Sequence, residues 1–337
     1  MACSMVLGLV ACGTTSTPAA STTTKTEEAV AAETQSGTAE VAGTWAPTDE
    51  VKFIVCSSAG GGSDIYTREM IDIINNDGIS ADTNFVVDYM TDGGGESGRQ
   101  YVADAKKADN LLVAMEYGGF ANMLLNTSYR IENFRPIAVV AEECQVLLAQ
   151  PTGKYENFEA AVEAAKGGTV VSIAGSGQAD DQMYQYLRDA AGLTDAQLTY
   201  VRCSSTSDAI TDTMGGHSDF VFARPSACVE YVESKDLTPV LACQEDRFKG
   251  NLDCETVVEA GYGEIKVPLW RGVCGPKNMS DDAYEFYCDI FKKMAESDRW
   301  KDEYCAKYQA NLIQAVGEDA VKYMTDSQDA YLAANGK

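Results

Sequence analysis

The sequence predicts an α/β protein in which parallel strand–helix layers form two halves. Three observations lead there. From Trp45 onward, apolar strand runs alternate with amphipathic helical stretches. Two Gly/Ser-rich turns, at residues 59–63 and 174–178, each end a strand and start a helix, about 115 residues apart. A chain of 337 residues is long enough for two ordinary cores.

The first unit carries the clearest signal. Val51 to Val55 is an apolar strand, Gly60, Gly61 and Gly62 make the turn, and Ser63 and Asp64 open a helix over 64–76. Tyr66, Met70, Ile73 and Ile74 give that helix its buried face. Such a turn aims unpaired backbone N–H groups and a positive dipole end beyond the strand, which suits an anion. The glycines let a ligand come close to the backbone. Candidate binding residues are therefore Ser57, Ser58, Ala59, Gly60, Gly61, Gly62, Ser63 and Asp64. Asp64 reads equally as a first-turn acid that stabilises the helix dipole.

Further along, Phe85 to Tyr89 is a second strand, and the glycine turn Asp92 to Gly98 leads into a helix reaching about Ala108. Leu111 to Met115 is a third strand, followed by a loop, Glu116 to Gly119, whose Tyr117 is a candidate cleft residue. Strands at 136–141 and 146–149 precede Pro151, where a crossing into a second domain is expected. After a helix at 157–166 and a strand at 170–173, Ala174-Gly175-Ser176-Gly177-Gln178 repeats the logic of the opening turn. A helix at 179–191, a strand at 198–201, a helix near 207–214 and a strand at 220–222 follow. The tail from Ser280 to Asn335 reads as helical, with Ser280 as N-cap. Ligands of open α/β sheets sit at the carboxyl ends of strands, so two such halves facing each other form a cleft lined by N–H donors.

Residues 1–12 are apolar, too short to span a bilayer, and end in Leu9-Val10-Ala11-Cys12-Gly13. This is the pattern of a bacterial lipoprotein signal, with Cys12 as the lipidated residue; the usual basic start is missing, as in a remnant. Residues 13–47 are rich in Thr, Ser, Ala and Glu without apolar periodicity, a flexible tether with a reach on the order of 30 Å. The expected domains are 48–148 with 266–337, and 149–265.

Lys and Arg number 26 against 51 Asp and Glu, a net charge of −25. That excludes a basic nucleic-acid face, and it leaves the lipid anchor as the expected membrane contact. An anionic ligand must be held against this field by local donors. Of eleven cysteines, nine lie beyond Cys12, scattered without a C-x-x-C pair; they read as buried reduced thiols rather than a disulfide framework. Enzyme readings find little support. His217 is the single histidine, too few for a zinc site or a Ser-His-Asp triad with its nucleophile elbow. The 59–63 turn lacks both the G-x-G-x-x-G spacing and a Walker lysine. No cofactor or metal is expected. A nucleotide- or phosphate-binding enzyme, or a surface lipoprotein with a protein partner, are the alternatives.

Six segments in order resemble the substrate-binding proteins of tripartite tricarboxylate transporters, the Bug or TctC family, over residues 48–333. They are Val51 to Ile65, Asp92 to Gly98, Ala174 to Gly177, Gly215 to Phe220, Glu259 to Tyr262, and Trp270 to Gly272 with Gly275-Pro276. The resemblance implies a type II periplasmic-binding-protein fold, two α/β domains closing on a small carboxylate. It further implies an extracytoplasmic monomer that delivers its ligand to membrane permease subunits. The sequence departs from the family in four places. Gln178 and Asp181 stand where members often have Ser and His, and Arg202-Cys203-Ser204-Ser205 replaces Pro-Tyr-Lys-Gly. Arg271 replaces Phe after Trp270, and Arg224 appears after Phe222. Arginine offers a bidentate fork to carboxylates, so Arg202, Arg224 and Arg271 join Gly175, Ser176, Gly177, Gln178, Asp181 and Ser204 as candidate ligand residues.

Overall fold

The structure is a computed structural model and describes residues 45–106, 108–264 and 267–337. The lipoprotein signal, Cys12 and the tether up to residue 44 lie outside them. The tether was expected to run to 47, but Trp45 already packs edge-on against Phe286 and Tyr287, at 5.3 and 5.8 Å.

The first lobe begins with β1 (Val51–Val55), α1 (Gly62–Asn76), β2 (Phe85–Tyr89), α2 (Glu96–Ala103), β3 (Leu111–Glu116), α3 (Tyr117–Asn126) and β4 (Phe134–Glu143). The chain then builds the second lobe from β5 (Val146–Ala149), α4 (Phe158–Lys166), β6 (Val171–Ser176), α5 (Gly177–Ala190) and β7 (Leu198–Cys203). That lobe is completed by α6 (Thr206–Met214), β8 (Phe220–Ala223), α7 (Pro225–Glu233) and β9 (Thr238–Ala242). The chain returns to the first lobe with β10 (Leu269–Pro276), α8 (Asp281–Glu296), β11 (Asn311–Val316) and α9 (Glu318–Ala334). The first sheet runs β11-β4-β10-β3-β1-β2 and the second β7-β6-β8-β5-β9. Each has a parallel trio at one end, β1 between β2 and β3, β6 between β7 and β8. These trios are the two halves read from the sequence. The inner strands β1, β3, β6 and β8 are largely apolar on both faces, as strands covered by helices must be, while the edge strands β2 and β7 are only partly buried.

Three expectations need correction. The crossing was placed after 148, but β5 pairs antiparallel with β8 and β9 in the second sheet, so the chain crosses at Cys144 and Gln145. The loop at 116–119 is the start of α3, because the Glu116 carboxylate accepts from Gly118 N and Gly119 N at 2.7 and 2.6 Å and caps the helix. The tail is not wholly helical. Gly317, at φ 63°, allows a turn that separates β11, paired antiparallel to β4, from α9. Ser280 does cap α8, accepting from Ala283 N. The nine described cysteines are all free, and six of them are buried.

The lobes meet at a buried carboxylate. Glu143 ends β4 at the first crossing and is 1% exposed. It accepts from Arg271 Nη2 at 2.8 Å, from Tyr304 Oη at 2.6 Å and, across the lobes, from Ser226 Oγ at 3.0 Å. Burial works to raise its pKa, but Arg271, the Tyr304 hydroxyl and Arg224 outweigh burial and hold it below the usual carboxylate value. A depressed carboxyl contributes stability that is complete above the unfolded pKa, about 4.3, and is lost as pH falls through the folded value. Glu143→Gln should therefore cost about 3 kcal/mol in urea unfolding at neutral pH, since it leaves a buried guanidinium uncompensated. That deficit should shrink below about pH 4 as the native carboxyl takes up its proton. A deficit that stays constant or grows with acid would contradict the charged assignment.

Candidate functional site

In both lobes the site rests on one local device. In the first, the turn between β1 and α1 is closed by Gly61 N donating to Ser58 O at 3.0 Å. Asp64, in the first turn of α1, accepts from Gly60 N at 2.8 Å. Its other oxygen accepts from Arg68 Nε at 2.7 Å and Tyr89 Oη at 2.6 Å. Burial opposes its charge, but the Gly60 N–H, Tyr89 and Arg68 hold the carboxyl below its usual pKa. Asp64 is thus committed to shaping the turn at the start of α1, in line with its expected structural role in the first helical turn rather than with ligand contact.

The second lobe repeats this with the same spacing of four. Asp180, 1% exposed, accepts from Ser176 N at 2.8 Å. Gln145, on the first crossing, donates to its other oxygen at 3.3 Å. Here burial wins and raises the carboxyl, with Arg224 pulling the other way. Asp180 was not among the sequence candidates. The signal was available, because Gly60 to Asp64 and Ser176 to Asp180 share the same interval across equivalent turns.

Glycine is required where the backbone is unusual or a group presses on it. Gly60 and Gly177 sit at φ 78° and 74°. A Cβ on Gly62 would lie 3.2 Å from Arg271 Nη2, and one on Gly175 would lie 2.8 Å from Tyr200 Oη. The first-turn N–H groups of α1 and α5 have no acceptor within their own helices and are the donors the turns present. Ser58, Ala59 and Gly60 are exposed, Ser57, Gly61 and Gly62 half-buried, and Ser63 buried.

The three arginines separate clearly. Arg202 is half exposed, pairs with Asp181 Oδ2 at 2.9 Å and stacks over Tyr200. That surface pair occupies both expected ligand residues. Arg271 is buried against Glu143 and lies 5.6 Å over the Tyr66 ring. Arg224, the N-cap residue of α7, donates from Nη2 to Thr206 Oγ1 at 3.0 Å. Thr206 Oγ1 in turn meets Ser176 Oγ at 3.0 Å, so one chain of polar groups joins the starts of α5, α6 and α7. Among buried side-chain atoms without a hydrogen-bond partner are Ser57 Oγ, Tyr200 Oη, Arg224 Nε and Arg271 Nε. Ser57 adjoins Gly61, Arg271 adjoins Gly62 and Tyr200 adjoins Gly175, while Arg224 is tied to Ser176 through Thr206. Unspent buried donors are costly, and here they border the two turns.

The other candidates lie elsewhere. Ser204 is exposed at the end of β7, beside Ser205, which caps α6. Tyr117 is buried away from the turns. Its hydroxyl crosses the lobes to Gln182 Oε1 at 2.9 Å, and its ring meets Trp270 and Tyr331 edge-on. Gln178 lies against the Tyr331 hydroxyl of α9. Sequence reasoning also missed Arg99, 3% exposed, which donates to Gly94 O at 2.7 Å and Glu96 Oε1 at 2.8 Å and braces the second glycine turn. His217 is exposed on its turn. Among the described residues no group of three or more His, Cys, Asp or Glu is placed to hold a metal, and no helix is long and apolar enough to cross a membrane.

This architecture is shared with solved binding proteins. BugD, a periplasmic binding protein, is 19% identical with a TM-score of 0.75, over 86% of this chain and 97% of that one. MatC of Rhodopseudomonas palustris, solved with malate, is 17% identical with a TM-score of 0.74, over 85% and 98%. A second R. palustris protein, solved with adipate, is 16% identical with a TM-score of 0.74, over 86% and 98%. At these identities the likeness is one of fold. No curated protein is significantly similar in sequence. The model of the tripartite tricarboxylate transporter family receptor matches residues 82–330, the whole second lobe and both crossings included, and the chain therefore belongs to that family of solute-binding receptors.

Proposed function

We propose that this protein captures a small organic acid, a di- or tricarboxylate or a related anion, between the turns at 57–64 and 175–177. It then hands the acid to the permease subunits of a tripartite transporter. The observation that carries this reading is the matched pair of Asp-braced turns, Gly60 with Asp64 and Ser176 with Asp180, each bordered by unspent buried donors. The malate and adipate bound by the two R. palustris proteins agree with it. Arg224 is the best side-chain candidate for a ligand carboxylate. It is half-buried, keeps one N–H free and stands at a helix start, where anions are favoured. Closure of the lobes over the acid follows from ligand preference for the closed arrangement. In this reading the protein works outside the cytoplasm as a monomer, held to the membrane by a lipid on Cys12 and the tether that follows.

A binding protein gains stability from its ligand by mass action, about 2.7 kcal/mol at a hundredfold excess over Kd. Malate, adipate or citrate should raise the melting temperature in a thermal-shift panel. A panel in which NAD stabilises and no carboxylate does would reverse the assignment. Arg224→Ala should weaken binding of the stabilising acid by roughly 1.5–3 kcal/mol, the range for a hydrogen bond to a charged group. Arg202→Ala should leave affinity unchanged in calorimetric titration. Equal affinity for wild type and Arg224→Ala would remove Arg224 from the site.

A further inference from the structure

A cavity lies beside Tyr117. It measures about 400 Å³ and opens between α3, α5 and α9, bordered by Pro268 on the second crossing. Tyr117, Gln182, Tyr186, Tyr323, Asp326 and Tyr331 line it. No residue of the 57–64 or 175–177 turns does. The α9 lining residues recur every three or four positions, so one face of that helix forms a wall.

The chemistry of this cavity is opposite to that of the turns. Three of its four tyrosine hydroxyls have protein partners, and the fourth, Tyr331 Oη, has none. Tyr117 Oη donates to Gln182 Oε1 at 2.9 Å, and the same amide donates to Tyr186 Oη at 2.8 Å. Tyr323 Oη donates to Glu142 at 2.7 Å. Ser327 Oγ is taken by Trp270 Nε1 at 3.0 Å. What remains for a guest is the carbon surface of four phenol rings and the unpartnered hydroxyl of Tyr331, with Tyr117 and Tyr331 edge-to-face at 6.3 Å. Among the described residues no lysine, arginine or histidine lines the cavity, and its one charged group is Asp326. Lys322 pairs with Asp326 at the rim, where both side chains are mostly exposed, 75% and 63%, and such a pair yields readily to a competing cation.

We propose that this aromatic cavity is a second binding site, for a small organic cation of the ammonium class. Ring faces attract cations through their quadrupole, and the attraction strengthens as the guest is desolvated. A volume of this size suits a small molecule. The protein's net charge of −25, which works against an anion at the turns, favours a cation here. The walls come from both lobes, so an ammonium guest bridges them. The site stands independently of the carboxylate reading, because it shares no turn residue with it.

Titration of the full chain with tetramethylammonium chloride tests this, with sodium chloride at equal ionic strength as the control. Binding should be saturable and specific to the organic cation. Tyr186→Leu should weaken it about tenfold or more, while Tyr186→Phe, which keeps the ring, should stay within about twofold of wild type. Thermal unfolding confirms that each variant is folded, and Tyr323→Leu against Tyr323→Phe repeats the comparison from α9. No saturable binding to wild type would overturn the proposal. So would full retention of binding in both leucine variants, or phenylalanine variants that lose as much as the leucine ones.

Discussion

Glu143 holds the two sheets in register with each other. Its carboxylate sits where the chain leaves the first sheet and collects Arg271 from β10, Tyr304 from the π-helical turn at Trp300–Ala306, and Ser226 from the second lobe. Isolated, a charge this deeply buried would be prohibitive. Paired in this way, it fixes a guanidinium directly behind Gly62. That places a cation under the turn proposed to hold the anion, in a protein whose net charge of −25 repels anions.

The turns proposed to cradle the anion use little side-chain chemistry. In each lobe one aspartate, four residues after the N–H it accepts, pins the backbone so that the next helix begins with its donors outward. The two copies differ in charge environment. Asp64 has a full set of donors and stays readily ionised, whereas Asp180 is buried and raised. The second turn therefore depends more on Arg224 and Gln145 than the first depends on any neighbour.

Much of the fold was legible in the sequence because its central strands are continuous apolar runs closed by glycine. What escaped has physical reasons. β11 is short and half-exposed, and Leu312 to Val316 fits a helical pattern nearly as well as a strand; only pairing with β4 decides. The Glu116 cap of α3 was hidden by two glycines that look like a loop. The three arginines were equivalent in sequence, each near a strand end. Burial separates them, with Arg271 turned inward on Glu143, Arg202 turned outward on Asp181, and Arg224 between. Glu142 and Glu143 are adjacent and alike in sequence. A strand sends neighbours to opposite faces, so one meets Tyr323 and the other the interlobe cluster. No single-residue signal distinguishes them before the sheet is assembled.

The central claim is that two Asp-braced turns from separate sheets grip one carboxylate ligand. A crystal structure of the full chain with the acid that most stabilises it measures this directly. The account predicts carboxylate oxygens at about 2.7–3.2 Å from N–H groups at the starts of both α1 and α5, with Arg224 in contact. A ligand held by one lobe alone, or seated away from both turns, would contradict it.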